Sequence, residues 1–297
     1  MIEPYMYGFS TLFRGRGDVY GHEEGRCVKE PLNHEIFRQH LEGVQAIGVY
    51  PMVPVNGVHH VVWGCSDIDI EDLAGARKIQ SALRAVQVES FIERSRSKGY
   101  HVWVFAEELV TASAMRRMLL AAHQVAEYPA TEVNPKQETL ASGQYGNYVR
   151  LPYFNGLDMS DSHRRILDDD GNAISLANFV ELALANRIPT KVIEHLAGLW
   201  REPARNHTVI DMGETVGVKE ALAHLSPLGK VIWRDGPLPS KDRSTTLAKL
   251  GHECVRSSMT PSETKVVLQD ADRRWGKYHL RPNGELEIDK LVVRVFS

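Results

Sequence analysis

Residues 58–73 read VHHVVWGCSDIDIEDL. Val58, His60, Val62 and Gly64 alternate with His59, Val61, Trp63 and Cys65, the period-two signature of a β-strand. The strand runs into Asp67-Ile68-Asp69. On an extended backbone, residues i and i+2 point to one face, roughly 7 Å apart at ~3.3 Å rise per residue. Two carboxylates therefore face the same way, with Ile68 turned opposite. Such a pair at the end of a buried strand is costly unless positive charge lies between its members. A divalent cation with oxygen ligands supplies that charge. The same spacing also occurs in surface loops, at helix N-termini and in calcium loops, so the decision rests on the rest of the chain.

Bulk composition excludes some classes. At 297 residues, 43% hydrophobic and 25% charged, the chain is long enough for one large domain or two ordinary ones. No apolar run approaches the ~20 residues of a membrane span, and the opening MIEPYMYGFS lacks the basic and apolar regions of a signal peptide. Cys27, Cys65 and Cys254 are odd in number and far apart, which argues against a disulfide framework and a cysteine-based zinc site and fits a reducing cytosol. A net charge of −3 gives no global pull toward nucleic acid, so any such binding rests on local basic patches.

Outward from the opening strand, residues 33–42 read as a helix with Asn33 as N-cap and Gly43 just past its end. Residues 46–50 (AIGVY) form a buried strand, expected to pair with the opening strand as a hairpin through the Asn56-Gly57 turn. Residues 71–86 carry helical spacing, and residues 88–92 (VESFI) read as a strand. The second informative stretch follows, ERSRSKGYHVWVF at residues 93–105. Serine hydroxyls, Lys98 and a Gly that admits backbone amides are the parts of a polyphosphate cradle, leading into a strand that begins at His101. In isolation the loop reads equally as a basic turn. Residues 111–127 form an amphipathic helix, and residues 131–133 a short strand that places Glu132, a third acid, on a strand end. Residues 148–153 (YVRLPY) are another strand. DDDGN at residues 168–172 reads as an acidic hairpin turn, with no ligand-spaced Glu after it.

From residue 175 onward, helices are expected over 175–186, 190–200, 218–225, 240–254 and 260–275, with Thr260 and Glu263 as a capping box. Residues 286–293 alternate and read as a short closing strand at least as well as a helix. A polar stretch over 201–214 marks a domain change, which gives three parts: a mixed α/β domain over 1–200, a linker with a short helix over 201–239, and a helical domain over 240–297. Two basic groups stand as candidate DNA contacts, Arg14 and Arg16 in FRGRGDVYGHEEGR, and Arg273, Arg274 and Lys277 beside Trp275 and Tyr278. Solvated turns and helix ends explain both groups as well.

SDIDIED, RSRSKGYHVWVF and TEVNPKQ come in that order on successive strand ends. This set resembles the archaeo-eukaryotic primase superfamily, in particular its phage and mobile-element primase-polymerases. A DhD pair, an S-x-S-K-G-x-H motif and an acid in an E-h-x-P-K-Q setting match, as do FRGRGDVYG, HLEGVQAIGVYP and GNYVRLPYF, over roughly residues 7–200. The 241–278 region is similar to the helical module that often follows the catalytic domain. Many relatives carry Phe where Asn134 stands, some carry Asp in place of Glu132, and the family's usual zinc-binding cysteines are absent.

The resemblance implies an α+β fold: a primase catalytic core with an RRM-like mixed sheet and flanking helices, followed by a smaller, mainly α domain. It implies that Asp67, Asp69 and Glu132 hold two Mg²⁺ or Mn²⁺ ions and, with His101, form the catalytic set. Ser95, Ser97, Lys98 and His101 would grip the β- and γ-phosphates, with Lys136, Asn147 and Arg150 as further nucleotide contacts. Partners would be single-stranded DNA template, nucleoside triphosphates and a helicase, fused or separate. The setting would be a bacterial or phage-infected cytoplasm, with no membrane. Two other readings stay open: a nucleic-acid-binding replication subunit without turnover, and a DxD glycosyltransferase, which would leave the SRSKGYH loop and Glu132 unexplained.

Overall fold

The computed structural model describes residues 3–130, 132–202, 216–237, 243–275, 277–281 and 283–296. The chain divides into two units, Met1–Glu202 and Pro203–Ser297. The first begins with α1 (Glu3–Leu12), β1 (Tyr20–His22), β2 (Cys27–Val28), α2 (His34–Leu41) and β3 (Ile47–Val49). It continues through β4 (Val53–Val55), β5 (Val58–Ile68), α3 (Leu73–Arg84), β6 (Phe91–Arg94), β7 (Tyr100–Thr111) and α4 (Ala112–Val125). Then come β8 (Glu132–Asn134), β9 (Val149–Arg150), β10 (Arg165–Leu167), α5 (Leu176–Ala185) and α6 (Thr190–Ala197). The larger sheet has the order β10-β6-β7-β5, with β4 and β8 both on the far side of β5; the smaller has the order β2-β1-β3-β9. The mixed α+β fold expected from the sequence is the fold observed, with a helical region following it.

Alternation along the strands divides the first unit into two cores. On one face of the larger sheet, Ile68, Val102 and Val104 pack with Ile79 and Leu83 of α3, Met115 and Leu119 of α4 and Ile193 of α6. Gly64 lets α4 lie close, because a Cβ there would come within 2.8 Å of the Met115 and Leu119 side chains. On the other face, Trp63, Trp103 and Phe105 pack with Phe9 of α1, Phe179 of α5 and Ile47 and Val49 of β3. A register shift between Val61 and Trp63 turns both Val62 and Trp63 toward this second core. Helices start where side chains cap them: Asn33 accepts from Ile36 N–H, Asp72 from Gly75 and Thr111 from Ala114. Asp72, the last acid of SDIDIED, is thus a helix cap that also accepts from the Tyr128 hydroxyl at 2.9 Å.

Several expectations are corrected. The hairpin partner of β5 is β4, not the 46–50 strand, which lies in the smaller sheet as β3. The Asn56-Gly57 turn still closes the hairpin, with φ of 50° and 79° as a two-residue left-handed turn requires. β6 starts three residues later than 88 and ends two residues later than 92, so it includes Glu93. Helix α1 lies ahead of FRGRGDVYGHEEGR in a stretch given no element from the sequence, and Phe9 and Leu12 on it are fully or nearly fully buried. At residues 168–172 the acidic turn carries hairpin bonds from Asp168 N–H to Asn172 O and from Gly171 N–H to Asp168 O. Asp169 in that turn pairs with Arg84 at 2.9 Å.

The second unit is helical as described: α7 (Val218–His224), α8 (Pro227–Asp235), α9 (Arg243–Arg256), α10 (Pro261–Trp275) and α11 (Gly284–Phe296). The stretch 201–239, read as a linker with one short helix, carries two helices, and Ala221 and Leu225 belong to this unit's core. The remainder of that stretch, 203–215 with 238–239, and the 240–242 start of the expected helix lie outside the described residues. Residues 286–293 are helical: Ile288, Leu291, Val292 and Val295 are buried at helical spacing while Leu286 is exposed. That apolar stripe outweighs the short alternation. Thr260 and Glu263 form the expected capping box, with Thr260 N–H donating to Glu263 Oε2 at 2.7 Å and Glu263 N–H to Thr260 Oγ1 at 3.3 Å. Among the described residues, no helix is long and apolar enough to cross a membrane.

Candidate active site

Strand register builds the site. His101 on β7 lies opposite Asp67 on β5 and opposite Glu93 on β6, and Asp67 lies opposite Glu132 on β8. Residues directly opposite one another share a face. Four ionisable side chains thus form one row across four strands, in the order Glu93, His101, Asp67, Glu132. The row lies on the face that carries Trp63 and Trp103, at the end where that core opens into a cleft of about 220 Å³. Asp67, Asp69, Glu132, His101, Ser95 and Ser97 line this cleft together, and Arg150 and Tyr148 at β9 supply its opposite wall. Ile68, between the two acids, is 2% exposed in the opposite core and so fixes their facing.

The 94–99 loop is held against the DxD. Ser95 N–H donates to Gly99 O at 2.9 Å, and Gly99 N–H donates to Ser95 Oγ at 3.1 Å, closing the loop on itself. Gly99 is required there, because a Cβ on it would stand 2.2 Å from the Ile68 carbonyl oxygen. The backbone of the loop therefore touches the backbone between the two acids. His163 holds the other side of the loop, its Nε2 lying 3.1 Å from Ser97 O.

Not every expected residue joins the cleft. Lys98 and Asn147 are exposed and absent from its lining. Lys136 lies 2.6 Å from Glu132, so it meets the site through the third acid. Arg14 and Arg16 do not line the cleft; Arg16 is held by Asp18 at 2.7 Å and stacks over Tyr145 at 4.8 Å. In the second unit, Arg274 stacks on Trp233 at 4.2 Å and pairs with Asp270 at 3.3 Å, while Lys277 lies 5.8 Å from the Tyr278 ring. Arg273 lines a separate pocket of that unit with His279 and Glu285.

The structure adds residues that sequence reasoning passed over. Glu93 is 1% exposed and accepts from the rings of both His101 and Trp103. Its signal was the alternation Phe91, Glu93, Ser95, visible only once the strand is carried past Ile92. Arg96 and Arg164 line the cleft and share Glu23, at 3.1 Å and 2.5 Å. No sequence spacing links these three, because a separate turn brings each of them in.

Electrostatics follow from burial and the row. Burial alone would lower the pKa of His101, but the charges of Glu93 and Asp67 outweigh it and raise it from 6.5 to about 10. His101 is therefore a cation at neutral pH. Burial, then the nearby Asp67, Glu93 and Glu132 carboxylates, push the Cys65 thiol well above its ordinary value. The sulfur nearest the acids stays protonated, and the donor set of the cleft is oxygen. Three carboxylates on one wall, with hard oxygens and no thiolate, suit Mg²⁺ or Mn²⁺ in donor chemistry. As the side chains stand, no three described His, Cys, Asp or Glu residues form one coordination shell. Lys136 and His101 carry the positive charge nearest Glu132 and Asp67.

Residues 24–195, more than half of the chain, match the family described as the archaeo-eukaryotic primase domain of the TOTE conflict system. The chain belongs to this family. All three motif stretches of the primase domain fall inside the matched residues. The chain is also similar to the primase-polymerase domain of cyanophage S-2L, at 11% identity over 61% of this chain and 97% of that one, with a TM-score of 0.33. It is similar to the primase RepB′ at 11% identity over 100% of this chain and 95% of that one, again with a TM-score of 0.33. No curated protein matches the sequence.

Proposed function

We propose that the chain is a template-dependent DNA primase-polymerase, which makes primers de novo and extends them by nucleotidyl transfer from ribo- or deoxyribonucleoside triphosphates. One observation carries the reading: the acids of the DxD, the third acid, His101 and the loop serines Ser95 and Ser97 line a single cleft in a chain of the primase family. Asp67, Asp69 and Glu132 would hold two Mg²⁺ or Mn²⁺ ions. When bound, such ions lower the pKa of a primer 3′-hydroxyl and neutralise the triphosphate and the leaving pyrophosphate.

The chain's own groups bind and orient the substrate. His101 turns Nε2 to within 3.5 Å of Asp67 Oδ1, so it offers a ring N–H donor where phosphate and acids meet. Ser97 and the 94–99 loop would flank the β- and γ-phosphates, and Arg150 would reach them from the opposite wall. Lys136 would balance Glu132 and meet the nucleotide at the rim. Single-stranded DNA is the template in this reading, and a helicase would supply it.

A primer-synthesis assay on single-stranded DNA, with labelled ribo- and deoxyribonucleotides in parallel and Mg²⁺ or Mn²⁺, tests this reading. Incorporation is expected in the natural chain and none in Asp67→Ala or Asp69→Ala, both folded. Full activity in either variant would remove the metal assignment. Tight single-stranded DNA binding with no incorporation under either ion would favour a binding subunit instead.

A further inference from the structure

Glu93 is the member of the row that no motif explains. It is 1% exposed, and a buried carboxylate is costly unless hydrogen bonds satisfy it. Here one oxygen, Oε2, takes both: Trp103 Nε1–H donates to it at 2.7 Å, and His101 Nδ1 lies 2.8 Å away. The indole nitrogen has a proton to give and no lone pair to accept with, so the direction of that bond is fixed. The Trp103 ring also packs edge-on against the His101 ring, at 5.5 Å and 88°. The imidazole is therefore held twice, by a hydrogen bond at Nδ1 and by a ring edge on its flank. Its other nitrogen, Nε2, lies 3.5 Å from Asp67 Oδ1 and faces the cleft.

We infer that Glu93 is a positioning residue: with Trp103 as its anchor, it clamps His101 through Nδ1 so that Nε2 is presented to the triphosphate of the incoming nucleotide. The inference rests on the reading of the cleft as a nucleoside triphosphate site. Glu93 commits its Oε2 to two ring N–H groups and so acts on the triphosphate through His101. The three side chains come from adjacent strands, with Glu93 opposite His101 in register and Trp103 two residues along the same face of β7. The clamp is thus a product of sheet pairing and needs no loop to close.

The test is steady-state incorporation in the full chain with Mg²⁺ and a nucleoside triphosphate, comparing Glu93→Leu, Glu93→Gln and Trp103→Phe. Leu removes the acceptor and should raise KM about tenfold, the scale of one charge-assisted hydrogen bond, while kcat stays within about threefold. Gln keeps an oxygen at that place and should recover most of the loss. Phe keeps the ring edge but not the anchoring N–H, and should raise KM by a smaller factor; it also carries the test if the Leu variant does not fold. Natural KM in both Leu and Phe variants, or a loss in kcat alone, overturns the clamp. Imidazole nitrogen NMR without nucleotide separates the two levels of inference. A hydrogen-bonded Nδ1 proton on His101 that disappears in Glu93→Leu supports the clamp, and its absence from the natural chain overturns it. Where NMR shows the clamp in the natural chain, unchanged triphosphate binding by His101→Ala instead refutes the triphosphate reading of the cleft and the presentation that depends on it.

Discussion

Acid should loosen the wall of the cleft through one histidine. His40 on α2 is fully buried, with Nε2 2.8 Å from Pro152 O and Nδ1 accepting from Ile47 N–H at 3.2 Å. It ties α2 to β3 and to the segment just after β9, the strand that pairs with β3 and carries Val149 and Arg150. Both bonds require the neutral ring protonated at Nε2, since a proton on Nδ1 would face the Ile47 N–H. Burial lowers its pKa from 6.5 to about 4, helped by Arg164 and Arg165 and opposed by the Pro152 bond and Glu23.

The folded value lies below the unfolded one, so the stabilisation is complete above about 6.5. It is lost progressively as pH falls toward 4, because the unfolded chain takes up a proton that the folded chain refuses. At 1.36 kcal/mol per unit, the loss is about 2 kcal/mol at pH 5 and approaches about 3 kcal/mol near pH 4. Hydrogen exchange of peptides from β3 and β9 in a urea series, at pH 7.5 and 5.0, reads this unit separately from the helical one. His40→Gln can keep the bond to Pro152 without titrating. It should be less stable than the natural chain by about 1–2 kcal/mol at pH 7.5, and that gap should close or invert at pH 5. A gap that is the same at both pH values would refute the linkage.

Two further outcomes follow from packing and charge at the cleft. Gly99→Ala forces the loop off the Ile68 carbonyl, so nucleotide incorporation should fall at least about tenfold, as expected for a site displaced by about an ångström. An unchanged KM and kcat would show that the loop yields without moving the acids. Lys136→Met frees Glu132 from its ammonium partner, so Mn²⁺ should bind up to about threefold more tightly, a modest gain because the pair is partly exposed. Titration of Mn²⁺ by its electron-spin resonance signal reads this directly, and weaker binding would contradict it.

What the sequence made legible was local chemistry with a period or a cap. The alternation from Trp63 into Asp67-Ile68-Asp69, the cap at Asn33 and the Thr260–Glu263 box are set within a few residues of chain, and each stands as read. Partner choice was harder. Asn56-Gly57 announced a hairpin, but Pro54 makes the true partner β4 look unlike a strand, while AIGVY looked more like one. Glu93 fell just past the strand read over 88–92, because the end of β6 is set by pairing with β7, which no local pattern encodes. The cluster of Glu23, Arg96 and Arg164 depends on three separated turns meeting, and is a fact of tertiary structure alone.

The row across β6, β7, β5 and β8 also decides where the chain can change length. Its members sit on separate strands spaced by about 4.8 Å, and each keeps its face only while its strand holds register. Deleting one residue ahead of His101 within β7 would turn the imidazole into the α3–α4 layer and bring a Val toward the acids. An insertion in the long connection between β8 and β9 would leave all four in place. Length variation among relatives should therefore collect in the turns and be absent from these strands, and transplanting the site into another scaffold means transplanting four strands in register rather than three short motifs.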